Sequence, residues 1–324
     1  MSAGLLVRGL SVEYATDAGR FLAVDDIDIA VPPGQRLGLV GESGCGKSTT
    51  ALALLRMIRP PGRIVGGAAL LDGIDLMGLS TAQMRQTRLS RVSYIPQGAM
   101  NSLNPVTPIG TQIADAIADH EKRSPRDALS RRIVAALQAV DLPAGAAHLY
   151  PHQLSGGMKQ RACIAIATIL HPRLIIADEP TSALDVVSQR HVMEMLGRQQ
   201  SQTGSSLILI GHDMGLMAQF VDHLAVLYAG RVVEAGTVGE IFLRPRHPYT
   251  QLLIDSVPTL ANRGRLRGLP GVAASLSQVL PGCAFAPRCP RVSPRCAQDR
   301  PAPAPLAPDH VAACHHPIEP AHAA

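Results

Sequence analysis

One stretch decides the fold: Gly41-Glu42-Ser43-Gly44-Cys45-Gly46-Lys47-Ser48. Its spacing, Gly-x4-Gly-Lys-Ser, is that of a phosphate-binding loop between a strand and a helix. Residues 36–40 before it predict a strand, and residues 49–58 after it predict a helix. In that setting backbone N–H groups and a helix N-terminus face phosphate oxygens. The stretch therefore predicts an ATP site, in which Lys47 reaches the β- and γ-phosphates and Ser48 ligates Mg²⁺.

The predicted nucleotide contacts in and beside this loop are Gly41, Ser43, Gly44, Cys45, Gly46, Lys47, Ser48 and Thr49.

The composition agrees with an α/β protein. It is 46% hydrophobic and 17% charged, but only 3% aromatic and without Trp, so the core must be aliphatic. Buried parallel strands have that character. The formal charge of +5 comes from the part of the chain after residue 243, which holds nine Arg and four acidic residues, so residues 1–243 are formally neutral. A neutral body disfavours a nucleic-acid partner.

Membrane and export signals are lacking in the sequence. Residues 1–14 have no basic stretch followed by an apolar one, as a signal peptide requires. The longest apolar stretch, residues 162–177, is interrupted by His171, Pro172 and Arg173 and falls short of ~18 clean residues. We therefore expect a cytosolic protein that reaches a membrane only through partners.

A second element predicts the catalytic acids. The apolar run Leu174-Ile175-Ile176-Ala177 ends in Asp178 and Glu179. Carboxylates at the end of a parallel strand lie at the edge where α/β proteins bind ligands. Asp178 is predicted to help hold Mg²⁺, and Glu179 to orient and deprotonate the attacking water.

A third element narrows the class of nucleotide-binding protein. Ser155-Gly156-Gly157 precedes a predicted helix over residues 158–170, which makes a second anion-binding helix N-terminus. One ATP does not need two such sites, whereas two chains facing each other head to tail do. A plain N-capped helix is the alternative interpretation.

Together these segments resemble the ATP-binding subunits of ABC transporters, over about residues 5–258. The stretch Leu154–Arg161 resembles the ABC signature, with Met158 where most of the superfamily has Gln. A Met at this position is common in the oligopeptide/dipeptide importer branch. Residues 101–105 and 247–250 also resemble segments of that branch.

The resemblance implies four further roles. Tyr14 resembles the aromatic residue that stacks on adenine, although a half-buried strand Tyr is the alternative. Gln97 resembles the glutamine that contacts Mg²⁺ or water and senses the transporter. Asp185 resembles the residue of the loop that crosses to the other subunit, and His212 the switch histidine that touches the γ-phosphate.

The resemblance also implies a function: an ATPase subunit that powers import of oligopeptides or dipeptides from the cytoplasmic face of the membrane. Its expected partners are a second, non-identical ATP-binding subunit, two transmembrane permease subunits and an extracytoplasmic solute-binding protein. Another cargo such as nickel is an alternative. A soluble ABC ATPase acting on DNA or ribosomes usually carries long insertions or two cassettes, and this chain has neither.

Four cysteines lie in the Pro- and Arg-rich C-terminal part: Cys283, Cys289, Cys296 and Cys314. Four thiols in a cytosolic protein favour a metal over disulfides. Four thiolates suit an iron–sulfur cluster, and residues 281–290 resemble tails of the peptide-importer branch, some of which carry [4Fe–4S]. Zinc, free thiols and disulfides are the alternatives.

The expected architecture is therefore an α/β P-loop cassette with a parallel core sheet, an N-terminal antiparallel part and a helical subdomain. We place the cassette at residues 1–244, with the helical subdomain at about 98–170. Residues 245–324 are expected to form a small C-terminal domain that contains the four cysteines.

Overall fold

The computed structural model describes residues 4–17, 19–98, 101–121, 125–182, 184–257, 271–272, 274–276 and 281–319. The chain forms two compact units. The helical unit comprises Met1–Gly4, Val31–Gln35 and Gly78–Ile208, and the loop unit comprises Leu5–Ala30, Arg36–Met77 and Leu209–Ala324. The predicted domains, 1–244 and 245–324, divide the chain differently and stay predictions.

The described strands are β1 (Leu5–Thr16), β2 (Gly19–Val31), β3 (Arg36–Val40), β4 (Gly62–Leu71), β5 (Ile74–Asp75), β6 (Val92–Ile95), β7 (Leu174–Asp178), β8 (Ser206–Gly211), β9 (His223–Tyr228), β10 (Arg231–Thr237), β11 (Ala304–Ala307) and β12 (His310–Ala312). The described α-helices are α1 (Lys47–Leu54), α2 (Thr81–Thr87), α3 (Ile109–Ala118), α4 (Arg126–Ala139), α5 (Gly156–Thr168), α6 (Val186–Thr203), α7 (Met214–Phe220), α8 (Val238–Leu243), α9 (Pro248–Asp255) and α10 (Pro294–Gln298). None of the helices within the described ranges is long and apolar enough to span a membrane.

The loop unit contains an antiparallel sheet near its N-terminal end. Its strand order is β2-β1-β4-β5, and β1 pairs antiparallel with β4 from Leu5 opposite Leu71 to Tyr14 opposite Gly62. The predicted antiparallel part is confirmed in this sheet. The short runs at residues 5–7 and 12–14 predict two strands, but the structure has the single strand β1, whose register shifts between Arg8 and Val12.

The strand that precedes the phosphate loop, β3, lies in a second sheet. β3 runs parallel to β9, with Leu37 opposite His223 and Val40 opposite Val226. The apolar runs at residues 224–227 and 231–233 predict a hairpin around Ala229 and Gly230. β9 and β10 form this hairpin, and both turn residues have positive φ. That conformation matches the twist of a tight hairpin.

The C-terminal segment extends this layer by two strands. β12 pairs antiparallel with β10, and β11 pairs with β12. Residues 304–312 therefore belong to the same sheet as the hairpin that follows β8. The sequence did not predict these strands, because they are short and only partly apolar.

The helical unit contains another parallel strand pair, which includes the strand that the apolar run at residues 174–177 predicts. β6 runs parallel to β7, with Val92 opposite Leu174 and Ile95 opposite Ala177. Every residue of β7 is buried, as its apolar run predicts. Between residues 98 and 170 the described regular structure is helical and consists of α3, α4, α5 and two short 3-10 helices.

Candidate nucleotide site

The phosphate loop connects β3 to α1, and backbone atoms lie very close to two of its glycines. Gly46 caps α1 in the left-handed region at φ 105°. A Cβ on Gly46 would lie 2.4 Å from the carbonyl oxygen of Ala23, and one on Gly41 would lie 2.2 Å from that of Leu227. Backbone atoms thus enclose the loop on both sides, which allows only glycine at these two positions.

Lys47 is the buried cation of this loop. Its side chain is on the first turn of α1, and the residue is only 6% exposed. The ammonium Nζ donates to the carbonyl oxygens of Gly41 at 2.7 Å and Glu42 at 2.9 Å. A positive charge is therefore held inside the curve of the loop, next to the dipole of α1, where an anion is favoured.

The remaining predicted contacts of the loop unit are placed as follows. Ser43 and Gly44 are exposed at the tip of the loop, and Ser48 and Thr49 are half-buried in the first turn of α1. Cys45 is buried, and burial raises the pKa of its thiol although Lys47 opposes the shift. This thiol therefore stays protonated near neutral pH.

Two further predicted residues of the loop unit are accessible. Tyr14 is half-buried near the end of β1, and its ring stacks on Phe21 with 5.9 Å between ring centroids. His212 is exposed directly after β8. Their roles towards adenine and the γ-phosphate stay predictions.

Two residues that are far away in the chain also contact the phosphate loop. The backbone N–H of Glu42 donates to the hydroxyl of Tyr249 in α9 at 2.9 Å. The carboxylate of Glu42 pairs with Arg288, at 2.6 Å between Nη1 and Oε2. Sequence separations of 207 and 246 residues leave no local pattern that could have shown these contacts.

In the helical unit, Asp178 ends β7 and is 1% exposed. The hydroxyl of Tyr94 in β6 donates to its Oδ2 at 3.0 Å. Burial and the neighbouring carboxylate raise the pKa of Tyr94, so this hydroxyl remains a donor at all physiological pH values. Tyr94 thereby fixes the orientation of the acid that is predicted to hold Mg²⁺.

Glu179 and Gln97 lie together in the same unit. The amide Nε2 of Gln97 donates to Oε2 of Glu179 at 2.8 Å. Glu179 has φ 44°, a conformation that non-glycine residues rarely adopt and that costs about 1 kcal/mol or more. A strained backbone conformation persists only where the surrounding structure enforces it, and such residues cluster at functional sites.

The predicted second anion site begins α5. Ser155 is the N-cap, and its hydroxyl accepts from the backbone N–H of Met158 at 3.3 Å. Ser155 and Gly156 are exposed, and a Cβ added at Gly157 would meet no atom within 4 Å. The N-terminus of this helix is therefore open to a ligand.

Asp185 caps α6 in the same way. Its carboxylate accepts from the backbone N–H groups of Val187 and Ser188 and from the Ser188 hydroxyl. The Ser188 hydroxyl, followed by these backbone groups, lowers the pKa of Asp185. Val186 and Val187 beside it are about four-fifths exposed, at 81% and 79%.

The four C-terminal cysteines line one small cavity together with His315 and His316. Burial raises the pKa of Cys283, Cys289 and Cys314, the last to about 11. None of the six cysteines, all of which lie in the described ranges, forms a disulfide bond. No group of three or more Cys, His, Asp or Glu in the described ranges has an arrangement that could hold a metal ion. The four thiols, as placed, do not fit the predicted [4Fe–4S] cluster, and that prediction is not supported.

Comparison with known proteins agrees with this geometry. The family model for the ABC transporter matches residues 24–182, and the model for the oligopeptide/dipeptide transporter C-terminal region matches residues 233–296. A protein of Sinorhizobium fredii named as a probable peptide ABC transporter ATP-binding protein is 40% identical over 95% of this chain and 93% of its own. A protein of Brucella ovis, provisionally named as a peptide import ATP-binding protein, is 42% identical over 87% of this chain and 88% of its own.

Solved structures share the fold. A dimeric ATP-binding cassette in a post-hydrolysis state, bound to ADP and Pi, matches with a TM-score of 0.65 at 22% identity, over 72% of this chain and 98% of that one. A cassette of Clostridium perfringens, described as part of an ABC transporter complex, matches with a TM-score of 0.63 at 24% identity, over 75% of this chain and 92% of that one.

The chain belongs to the ATP-binding subunits of ABC transporters, in the branch that carries the oligopeptide/dipeptide transporter C-terminal region. The ABC cassette fold that the combined segments predict through their resemblance is confirmed. As a member of this family, the chain is an ATPase that uses ATP and Mg²⁺.

The enclosed glycine of the loop gives a direct prediction. We expect Gly46→Ala to abolish binding of a fluorescent ATP analogue and to lower the free energy of unfolding by about 2 kcal/mol or more, because its Cβ overlaps a backbone carbonyl. Gly73→Ala is the matched control, since Gly73 also has positive φ (83°) but a Cβ added there would meet no atom within 4 Å. It should cost about 1 kcal/mol and leave binding unchanged. Equal binding by both variants would contradict the assignment of the loop.

Proposed function

We propose that this chain hydrolyses ATP to drive uptake of oligopeptides or dipeptides through a membrane transporter. The observation that carries the proposal is the pairing, in one chain, of the Lys47 phosphate loop with a C-terminal region of the oligopeptide/dipeptide transporter type. The peptide-related names of relatives at about 40% identity support the same cargo.

In the proposed reaction, Lys47 and the helix dipole of α1 bind the β- and γ-phosphates. Ser48, Asp178 and Gln97 would hold Mg²⁺, and that ion would neutralise charge on the phosphates. Glu179 orients the attacking water and takes its proton, while His212 contacts the γ-phosphate. Transfer of a phosphoryl group to water needs little covalent chemistry, so positioning and charge stabilisation supply most of the rate.

The site is proposed to be completed by a second cassette. Ser155, Gly156 and Gly157 are accessible at the start of α5, and the structurally similar cassette bound to ADP and Pi is dimeric. In this proposal each subunit presents that helix N-terminus to the ATP bound by its neighbour, and Asp185 lies in the loop that crosses between them. Tyr14 stacks on adenine.

The remaining partners follow from the importer assignment. We place the subunit on the cytoplasmic face of the membrane, with a non-identical cassette subunit, two permease subunits and, through them, an extracytoplasmic binding protein. Gln97 and the following residues 101–105 are proposed to transmit the nucleotide state to the permeases.

Glu179→Gln tests the catalytic assignment. In the assembled transporter we expect kcat for phosphate release to fall about 100-fold or more, because the general base is lost, while ATP binding persists. Glu194→Gln is the matched control, since Glu194 is an exposed residue of α6 that pairs with Arg190. It should hydrolyse ATP at the normal rate.

The transported solute is identified in the same preparation, by measuring ATP-dependent uptake of labelled solutes into vesicles. Uptake of a labelled dipeptide that Glu179→Gln abolishes supports the proposal. Uptake of nickel but not of peptide would contradict the proposal of a peptide cargo. Normal ATP turnover by Glu179→Gln would contradict the assignment of Glu179 as the general base.

A further inference from the structure

The C-terminal segment places one arginine against the phosphate loop. Arg288 ends a short 3-10 helix, Ala286–Arg288, whose backbone is fixed by the hydrogen bond from Arg288 N–H to the Phe285 carbonyl at 3.0 Å. The side chain of Arg288 is 4% exposed. Its guanidinium carbon lies 5.8 Å from the ring centroid of Tyr228 and 5.9 Å from that of Phe285. The guanidinium of Arg288 is therefore buried and packs against two aromatic rings, apart from its contact with the phosphate loop.

The partner of this arginine is the second residue of the phosphate loop. Nη1 of Arg288 donates to Oε2 of Glu42 at 2.6 Å, and Nη2 donates to Oε1 at 2.9 Å. Nη1 also lies 3.3 Å from the hydroxyl of Tyr228. A two-pronged contact of this kind fixes the direction of both groups and is stronger than a single hydrogen bond.

Every polar group of Glu42 is engaged. Its N–H donates to the Tyr249 hydroxyl, its carbonyl accepts from Lys47, and its carboxylate accepts from Arg288. Tyr249 itself is fully buried against Tyr228 and Phe285, with ring centroids 4.7 and 5.3 Å away. Only nine Phe and Tyr residues exist in the chain, and three of them pack at this point.

The negative charge of Glu42 makes its pairing with Arg288 important for ATP binding. A carboxylate in a loop that binds polyphosphate repels its ligand, and the side chain of Glu42 is only 22% exposed, so water screens it weakly. Arg288 neutralises that charge. Without the arginine, a partly buried carboxylate would be left unpaired beside the bound phosphates, which is costly.

We propose that Arg288 is a positioning residue for the phosphate loop, so that the C-terminal segment sets the affinity of this ATPase for the phosphates of ATP through Glu42. The inference rests on the proposed ATPase function and deepens it. It assigns the C-terminal segment a part in nucleotide binding that is independent of any metal on its cysteines.

A double-mutant cycle in the assembled transporter tests this inference. Arg288→Met should raise KM for ATP, and the Kd of a fluorescent ATP analogue, about 10-fold, with kcat changed less than about twofold. Adding Glu42→Gln to Arg288→Met removes the uncompensated charge and should restore both constants to within about threefold of wild type. Arg288→Lys keeps the charge but loses the fork, and should lie between wild type and Arg288→Met.

The control is Arg295→Met, in the same segment, because Arg295 is 67% exposed and pairs only loosely with Asp299 at 3.7 Å. It should leave Kd unchanged. Equal Kd values for Arg288→Met and wild type would overturn the proposal, as would a double variant no better than Arg288→Met, which would indicate a merely structural arginine. Wild-type protein that binds no ATP analogue would instead contradict the proposed function itself.

Discussion

The backbone of the phosphate loop is the constraint on which the rest of the site depends. The carbonyl oxygens of Gly41 and Glu42 accept hydrogen bonds from the Lys47 ammonium, and α1 begins at Lys47. A loop of this shape requires glycine where backbone atoms of neighbouring strands approach to within 2.2–2.4 Å of a Cβ position, at Gly41 and Gly46. The parallel pair β3–β9 and the residue Ala23 supply those neighbouring atoms.

Local patterns explain which parts of the fold could be predicted. The phosphate loop, the N-cap Ser155 and the hairpin at Ala229–Gly230 are each specified by a few adjacent residues, and the structure has all three. Boundaries were less accurate: the helix expected over residues 49–58 is Lys47–Leu54, because residues 55–61 leave the helix before the Pro60–Pro61 turn.

Long-range contacts explain what could not be predicted. The pair Arg288–Glu42 and the strand β12 beside β10 join residues that are far apart in the chain, and no periodicity indicates such partners. The cysteines show the converse error. Their number and residue type indicate a metal site, but ligation depends on the directions of the thiols, which spacing does not determine.

Two contributions to the chemistry come from different parts of the chain. The loop unit contains the Lys47 ammonium that is proposed to bind phosphate. The helical unit contains the two proposed catalytic acids: Tyr94 donates to Asp178, and Gln97 donates to Glu179, whose backbone has a positive φ. The accessible helix N-terminus at Ser155 is the feature that suggests a second cassette subunit. In the proposed composite site, turnover would require two associated cassettes.

Hydrogen–deuterium exchange of the assembled transporter, with and without a non-hydrolysable ATP analogue and Mg²⁺, tests this central claim most directly. We predict slower amide exchange in two separate segments, residues 41–48 and residues 155–158, because each ATP contacts the loop of one cassette and the helix N-terminus of the other. Protection confined to residues 41–48 would contradict the composite site, and protection in neither segment would contradict nucleotide binding at this loop.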